Sequence, residues 1–139
     1  FFFLGIAQQD PSIKGLWCVP RFSNPTGIVY DEQTVQRIAR LSEIAGEHFR
    51  VFWDNAYSVH ALADDAPELA NLYEACSDAG TEDSVLQFAS TSKITFAGAG
   101  VAFLGASPTN LKHITASLSA LTIGPDKVNQ LRHARFFEQ

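Results

Sequence analysis

Four short apolar runs stand out along the chain. They are GLWCVP (15–20), RVFWDNAY (50–57), SVLQFAS (84–90) and GVAFLGAS (100–107), and each ends in proline or in polar residues. Runs of this length and composition predict strands. Only about ten residues, 91–100, separate the last two runs, which is short for a parallel crossover. We therefore expect the fourth strand to be an antiparallel neighbour near the end of the sheet.

The segments between and after these strands carry helical patterns, each with a stripe of apolar residues on one face. The predicted starts are Asp31, then Asp64, Asp65 and Pro67, then Ser107 and Pro108, and finally Pro125. The apolar stripes are Val35, Ile38, Leu41 and Ala45 in the first helix, Leu69, Leu72, Tyr73 and Cys76 in the second, and Leu111, Ile114, Leu118 and Leu121 in the third. Gly80 is predicted to end the second helix.

Helices that alternate with nearly continuous apolar strands favour the α/β class. We predict a three-layer α/β/α arrangement with a mostly parallel sheet that is covered on both faces. A length of 139 residues suits one compact domain.

Composition narrows the possible partners and the compartment. A formal net charge of -5 disfavours binding to nucleic acid or to an anionic membrane, so small molecules or proteins are the expected partners. Cys18 and Cys76 show no metal-binding spacing and are expected to be buried free thiols in a reducing compartment, although a disulfide stays open. The apolar start FFFLGIAQQDP lacks a basic region, so we expect no signal peptide and a cytoplasmic location. The absence of methionine suggests a piece of a longer protein.

Polar residues follow each of the first three predicted strands. These residues are Ser23 and Asn24, then Asp54, Asn55 and Tyr57, and then Ser90, Thr91, Ser92 and Lys93. Because ligands of open α/β sheets bind beyond the carboxyl ends of the strands, the three groups are expected to gather at one edge. Taken singly, Asn24 can be explained as a turn residue, Asp54 as a loop cap and Lys93 as a solvated lysine.

Together these groups suit pyridoxal phosphate. An amine can attack a carbonyl, hydroxyl groups and backbone amides can hold a phosphate, and a carboxylate can pair with a protonated ring nitrogen. In addition, SNPTG (23–27), DNAY (54–57) and STSK (90–93) resemble, in this order, the motifs of fold-type I pyridoxal-phosphate aminotransferases. The segments TSKITFAGAGVAF and IGPDKVNQLRHARFF resemble a bacterial aspartate aminotransferase subgroup that is MocR-like.

The resemblance implies a role for each matching residue. Lys93 would form the Schiff base with the cofactor and later move the proton at the substrate's α-carbon. Asp54 would pair with the pyridine nitrogen, and Asn24 and Tyr57 would donate to the phenolic oxygen of the ring. The substrates would be an amino acid, with aspartate expected, and a 2-oxo acid. The enzyme would be a homodimer that binds neither nucleic acid nor membrane.

Phosphate binding is where the chain departs from the family pattern. The resemblance assigns Ser90, and with it Ser92, to the phosphate. Family members usually carry an arginine seven or eight residues after the lysine, whereas this chain has Gly100 and Val101 there. A main-chain amide or a basic residue from elsewhere is expected to replace it. Since the glycine-rich loop, the ring-stacking aromatic and the substrate-carboxylate arginine have no counterpart here, residues 1–139 are expected to be the central segment of the large, cofactor-binding domain.

The same sequence features allow other functional interpretations. The Ser90-x-x-Lys93 spacing also occurs in penicillin-binding proteins and class A β-lactamases, but the SDN and KTG motifs do not follow. The four histidines lack metal-ligand spacing, so we predict no metal site, and only His60 is expected near the cofactor. Arg132 and Arg135 are interpreted as a solvated basic face, or else as contributors to a partner subunit's site. A non-catalytic fragment or interaction module that keeps the fold stays open.

Overall fold

The computed structural model of the chain describes residues 2–46 and 48–138. The helices are α1 (Phe2–Gln9), α2 (Glu32–Ala39), α3 (Leu41–Ile44), α4 (Leu72–Ala79), α5 (Pro108–Leu121) and α6 (Lys127–Phe137), and the strands are β1 (Gly15–Cys18), β2 (Arg50–Asp54), β3 (Val85–Ser90) and β4 (Ala102–Ala106). A short 3-10 turn, Glu82–Ser84, leads into β3. The predicted mixed α/β class is confirmed.

The four strands form one sheet in the order β1-β2-β3-β4. The first three strands are parallel, and β4 runs antiparallel to β3. The antiparallel fourth strand predicted from the short 91–100 connection is therefore confirmed. In the register, Cys18 lies beside Trp53 and Trp53 beside Gln87, so the ends of the parallel strands reach the same edge of the sheet.

One face of the sheet forms the hydrophobic core with helices α1 to α4. Successive side chains of a strand point to opposite faces, and Val51 and Trp53 of β2 are the ones that point into this core. The buried residues that share the core are Ala7, Cys18, Val35, Ile38, Ala39, Leu41, Phe49, Val51, Trp53, Leu72, Ala75, Cys76 and Val85. Cys18 and Cys76 are buried free thiols, as expected.

The opposite face, called here the open face, carries Trp17, Phe52, Phe88 and Leu104. The rings of Trp17, Phe52 and Phe88 stack across three strands with centroids 5.5 to 6.1 Å apart. The Trp17 side chain nevertheless remains 62% exposed. The described helices thus leave an apolar surface around Trp17 on this face.

Two helix boundaries differ from the sequence prediction. The helix predicted from Asp31 is two helices, because Arg40 leaves helical geometry between α2 and α3. The second predicted helix does not start at residues 64–67. It starts at Leu72, since the Asn71 side chain accepts hydrogen bonds from the backbone of Tyr73 and Glu74 and so caps α4. Gly80 ends α4 in the left-handed conformation, with φ of 69°, as predicted.

The last two helices are capped as their sequences indicate. The Ser107 side chain accepts from the backbone of Asn110 at the start of α5, and Asp126 accepts from Asn129 at the start of α6. The stripe expected on α5 is only partly covered, because Leu118 and Leu121 are exposed. No helix within residues 2–46 and 48–138 is long and apolar enough to cross a membrane.

Candidate active site at the carboxyl edge of the sheet

Asp54 and Ser90, the last residues of two neighbouring parallel strands, begin the candidate site. Asp54 lies beside Phe88 in the register, and Ser90 lies two residues further along β3. Both side chains therefore belong to the open face, opposite the core face of Trp53. With strands about 4.8 Å apart and a rise of about 3.3 Å per residue, their α-carbons are about 8 Å apart. The Asp54 carboxylate and the Ser90 hydroxyl therefore lie on the same face of the sheet and at the same edge.

The Asp54 carboxylate does not cap a loop. Among the residues that the structure describes, it accepts no hydrogen bond and makes no ion pair, although the side chain is half-buried. A backbone hydrogen bond holds the next residue in place instead, because the Asn55 N–H donates to the Phe88 carbonyl oxygen over 2.8 Å. A half-buried carboxylate without a protein partner remains available to a ligand.

Lys93 lies over the ring of Tyr57. Its Nζ is 5.1 Å from the ring centroid, a cation–π distance, which brings the amine on the β3 side next to the phenol on the β2 side. The His60 ring meets Tyr57 edge to face at 5.6 Å, and His60 Nε2 lies 3.1 Å from the Lys93 carbonyl oxygen. Because that oxygen can only accept, Nε2 donates, and the buried Nδ1 is left without a protein partner. His60 lies beside Lys93, in agreement with the expectation.

Asn24 lies in the turn that follows β1, within the SNPTG motif (23–27). The Ser23 hydroxyl donates to the Val19 carbonyl oxygen, so the Ser23 side chain stabilises the turn. Asn24 itself is exposed, and its peptide bond to Pro25 is cis.

Arg21, which the sequence analysis did not single out, ties this turn to the loop that carries Tyr57. One guanidinium nitrogen donates to the Ser58 carbonyl at 2.6 Å, and the other lies 3.5 Å from the Pro67 carbonyl. Because both acceptors are backbone oxygens, the composition around Arg21 gave no signal of this contact.

The loop after Lys93 explains in part why no arginine stands at residue 100. A side-chain carbon added to Gly100 would lie 2.9 Å from the Ser92 nitrogen and 3.0 Å from its α-carbon, too close for any side chain. The Ser92 N–H in turn lies 3.4 Å from the Ser90 hydroxyl. The backbone of Gly100 therefore lies against Ser92, one of the two serines to which the family resemblance assigns the phosphate.

His133 is a buried residue whose contacts with the loop around Lys93 the sequence did not indicate. It is 5% exposed, and its Nε2 lies 3.0 Å from the Thr91 hydroxyl and 2.8 Å from that of Thr95, on either side of Lys93. The sequence carried no signal for this contact, because His133 lies about forty residues further along the chain. Arg132 and Arg135, on the same helix, are exposed.

The Cys18 thiol, at the end of β1, faces the core and not the open face. Burial raises the pKa of the Cys18 thiol to about 11, even though a hydrogen bond with Tyr30 acts in the opposite direction. Burial also raises the pKa of Tyr30. Both groups belong to the core side of the sheet or pack against it.

Comparisons with known proteins identify the family to which this chain is similar. The profile of the family described as "Aspartate amino-transferase" matches residues 4–139. A Mycolicibacterium smegmatis protein, provisionally named an aminotransferase, is 50% identical over 132 residues, which are 95% of this chain and 31% of that protein.

Solved structures give the same picture. The crystal structure of an aspartate transaminase from Corynebacterium glutamicum matches with a TM-score of 0.90 and 44% identity, over 99% of this chain and 32% of that one. An α-aminoadipate aminotransferase from Thermus thermophilus, complexed with N-(5'-phosphopyridoxyl)-L-leucine, matches with a TM-score of 0.68 and 25% identity, over 89% of this chain and 31% of that one. The chain thus spans about a third of the length of these relatives. Since the family profile covers nearly all of it, the chain belongs to the aspartate amino-transferase family.

Proposed function

We propose that the complete protein is a pyridoxal-phosphate-dependent aminotransferase. One observation carries the proposal. In a chain of the aspartate amino-transferase family, the Lys93 amine and the Asp54 carboxylate, which has no partner among the described residues, follow neighbouring strands at the edge of a parallel sheet where ligands bind. A solvated lysine and a loop-capping aspartate would need no such common edge.

The residues at this edge fit the cofactor by their chemistry. An amine, a carboxylate without a partner, a phenol, an amide and two serine hydroxyls match the functional groups of pyridoxal phosphate. When bound, this cofactor supplies an aldehyde that condenses with amines and a ring that withdraws electrons from the substrate's α-carbon. The α-aminoadipate aminotransferase that matches this chain is complexed with a phosphopyridoxyl compound, which supports the choice.

Lys93 and Asp54 have the two central roles in this proposal. The Lys93 Nζ is the nucleophile toward the aldehyde, and it later carries the proton at the α-carbon of the amino acid. The contact with the Tyr57 ring holds this amine on the β2 side of the edge. The Asp54 carboxylate accepts a hydrogen bond from the protonated ring nitrogen, and its negative charge favours that protonated form.

The remaining residues bind the cofactor and fix its orientation. The Tyr57 hydroxyl and the Asn24 amide donate to the phenolic oxygen, and the hydroxyls of Ser90 and Ser92 donate to the phosphate. Because a side chain at residue 100 would collide with Ser92, we infer that backbone amides of this loop, or a cation from another segment, replace the usual arginine.

The finer assignments follow from the relatives and the motifs. We infer that the amino donor is aspartate, which is supported by the Corynebacterium glutamicum aspartate transaminase, and that the acceptor is a 2-oxo acid. We further infer a MocR-like subgroup, a cytoplasmic homodimer, and a chain that is the central segment of the cofactor-binding large domain.

The test is reductive trapping of the cofactor in the complete chain. Pyridoxal phosphate followed by borohydride should add the phosphopyridoxyl mass to the peptide that contains Lys93. Lys93→Ala should abolish this adduct and nearly all amino transfer from aspartate, while circular dichroism stays unchanged. Lys112→Ala is the matched control, because Lys112 is an exposed lysine on α5, and it should retain both the adduct and activity.

Two results would overturn parts of the proposal. An adduct that persists in Lys93→Ala would remove Lys93 from its role. A complete chain that traps no cofactor at any lysine would favour a non-catalytic member that keeps the fold. Activity with other amino acids but not with aspartate would reject only the donor.

A further inference from the structure

Helix α6 holds the loop that carries Lys93, here called the lysine loop (residues 91–101). His133 lies near the middle of α6, and its Nε2 meets the hydroxyls of Thr91 and Thr95 at 3.0 and 2.8 Å. These two threonines flank Lys93 by two residues on either side. His133 thus binds both sides of the turn from which the Lys93 side chain starts.

The hydrogen bonds fix the tautomer of this histidine. Its Nδ1 lies 2.8 Å from the Asn129 carbonyl oxygen, which can only accept, so Nδ1 carries the proton. Nε2 is therefore an acceptor with a single lone pair, which the hydroxyls of Thr91 and Thr95 share as donors. The Thr95 hydroxyl has a second acceptor in the Thr91 carbonyl oxygen, 3.2 Å away. The Thr91 hydroxyl accepts in turn from the Val101 N–H at 2.9 Å, which links the start of the loop to its end.

A second contact from the same helix holds the far side of the loop. One turn before His133, the Asn129 side chain donates to the Ala99 carbonyl at 2.8 Å. The ring of Phe96, itself part of the loop, packs against His133 edge to face at 6.5 Å. Three parts of the lysine loop therefore contact α6, and the contact nearest Lys93 depends on an acceptor nitrogen in a buried ring.

We propose that His133 is a positioning residue for Lys93. The inference rests on the proposed function, since it concerns where the Lys93 amine stands relative to a cofactor. An amine held in place by its backbone reacts more readily than one on a mobile turn, because the loss of freedom has already occurred before the cofactor binds. Removing the acceptor leaves the buried Thr91 hydroxyl without it and takes one of two acceptors from the half-buried Thr95 hydroxyl, which loosens the turn.

The test compares two replacements of His133 in the complete chain. His133→Gln retains a side-chain acceptor oxygen for the threonines, whereas His133→Phe retains ring bulk and loses the acceptor. The measurement is the pyridoxal phosphate concentration at which half of Lys93 is trapped by borohydride. We expect an increase of about tenfold in His133→Phe and of less than about threefold in His133→Gln. His113→Phe, on the exposed side of α5, is the control and should match the wild type.

A packing role would give the opposite order. Phe suits apolar surroundings better than Gln, so a histidine that merely fills space would leave His133→Phe closer to the wild type. Thr95→Val, compared with Thr95→Ser, tests the other side of the same bond if a His133 variant does not fold. Equal trapping in Thr95→Val and Thr95→Ser would overturn the proposal, and a loss in Thr95→Val alone would support it.

Hydrogen exchange in the cofactor-free chain separates this inference from the proposed function. The backbone amides of Thr95 and Val101 should exchange about tenfold faster in His133→Phe, while those of β2 stay unchanged. If the wild-type chain traps no cofactor, the proposed function fails, and this exchange still reports on the loop. Unchanged exchange at both amides in His133→Phe would overturn the positioning role.

Discussion

Trp53 and Asp54 are consecutive residues of β2 in opposite surroundings. Trp53 is 2% exposed and packs edge to face on Tyr30 at 5.8 Å within the helix-covered core. Asp54 points to the open face and has no hydrogen-bond or ion-pair partner in the described part of the chain. Strand alternation thus places Trp53 among apolar side chains on one face and Asp54 on the other face, where the proposed cofactor would bind.

The same comparison holds for the sheet as a whole. The core face is closed by helices α1 to α4, whereas the open face shows stacked aromatic rings and an indole that is 62% exposed. Burial stabilises the first face, whereas the second face stays partly exposed in the described residues. The core should therefore set the stability of the fold, and the open face should set its chemistry.

The largest effect is expected from breaking the core face. Trp53→Ala should lower the free energy of unfolding by about 3 to 5 kcal/mol, because it removes a fully buried ring and leaves a cavity. Urea denaturation followed by circular dichroism would measure the loss.

Trp17→Ala is the matched change on the open face. The indole of Trp17 is largely exposed here, so its removal should cost less than about 1 kcal/mol. A loss as large as that of Trp53→Ala in the complete chain would contradict the comparison and would mean that another segment packs over the open face.

The second prediction sharpens the contrast at Asp54. If its carboxylate pairs with the protonated ring nitrogen, Asp54→Ala should weaken cofactor binding by about 1.5 to 3 kcal/mol, or roughly ten- to a hundredfold. The melting temperature of the cofactor-free protein should change little, because no described protein group depends on this carboxylate. Cofactor titration followed by absorbance, beside differential scanning calorimetry, measures both quantities.

Asp64→Ala serves as the control, since Asp64 is an exposed aspartate in the loop after β2. It should leave cofactor binding unchanged. Cofactor binding that survives Asp54→Ala within a few-fold, together with a lower melting temperature, would instead assign Asp54 to the loop.

A smaller effect than those of Trp53→Ala and Asp54→Ala is expected from alkaline pH, and it belongs to the core face. Burial raises the pKa of Cys18 from 9.0 to about 11, so the unfolded thiol ionises at a lower pH than the folded one. Its contribution to stability is complete below pH 9 and is lost as the pH rises toward 11, on the order of 1 to 2 kcal/mol. Cys18→Ala should flatten this loss in denaturation curves between pH 8 and pH 11, and an unchanged slope would contradict it.

Much of the architecture could be predicted from local patterns. Apolar runs, capping residues and the short 91–100 connection predicted four strands and the antiparallel β4, because these signals lie within a few residues of the element they specify. The positions of DNAY and STSK after neighbouring strands likewise predicted that Tyr57 and Lys93 lie close together. Their roles stay predictions until the cofactor is tested.

The start of α4 shows where local signals compete. Asp64, Asp65 and Pro67 are acceptable helix-starting residues, but so is Asn71, and Leu72 at the first position of the helix is buried in the core. Burial of Leu72 therefore explains why α4 starts at this later position. The break at Arg40 between α2 and α3 also had no marker such as glycine or proline in the sequence.

The sequence by itself determined the strands, their order of polar endings and the family motifs, since each depends on residues close together in the chain. Only the tertiary structure decided that Asp54 has no partner within residues 2–46 and 48–138, that Gly100 lies against Ser92, and that His133 contacts the threonines beside Lys93. Contacts of this kind join residues from about eight to more than forty positions apart. They depend on how helices and loops pack around the sheet, and no periodicity of a single segment records that packing.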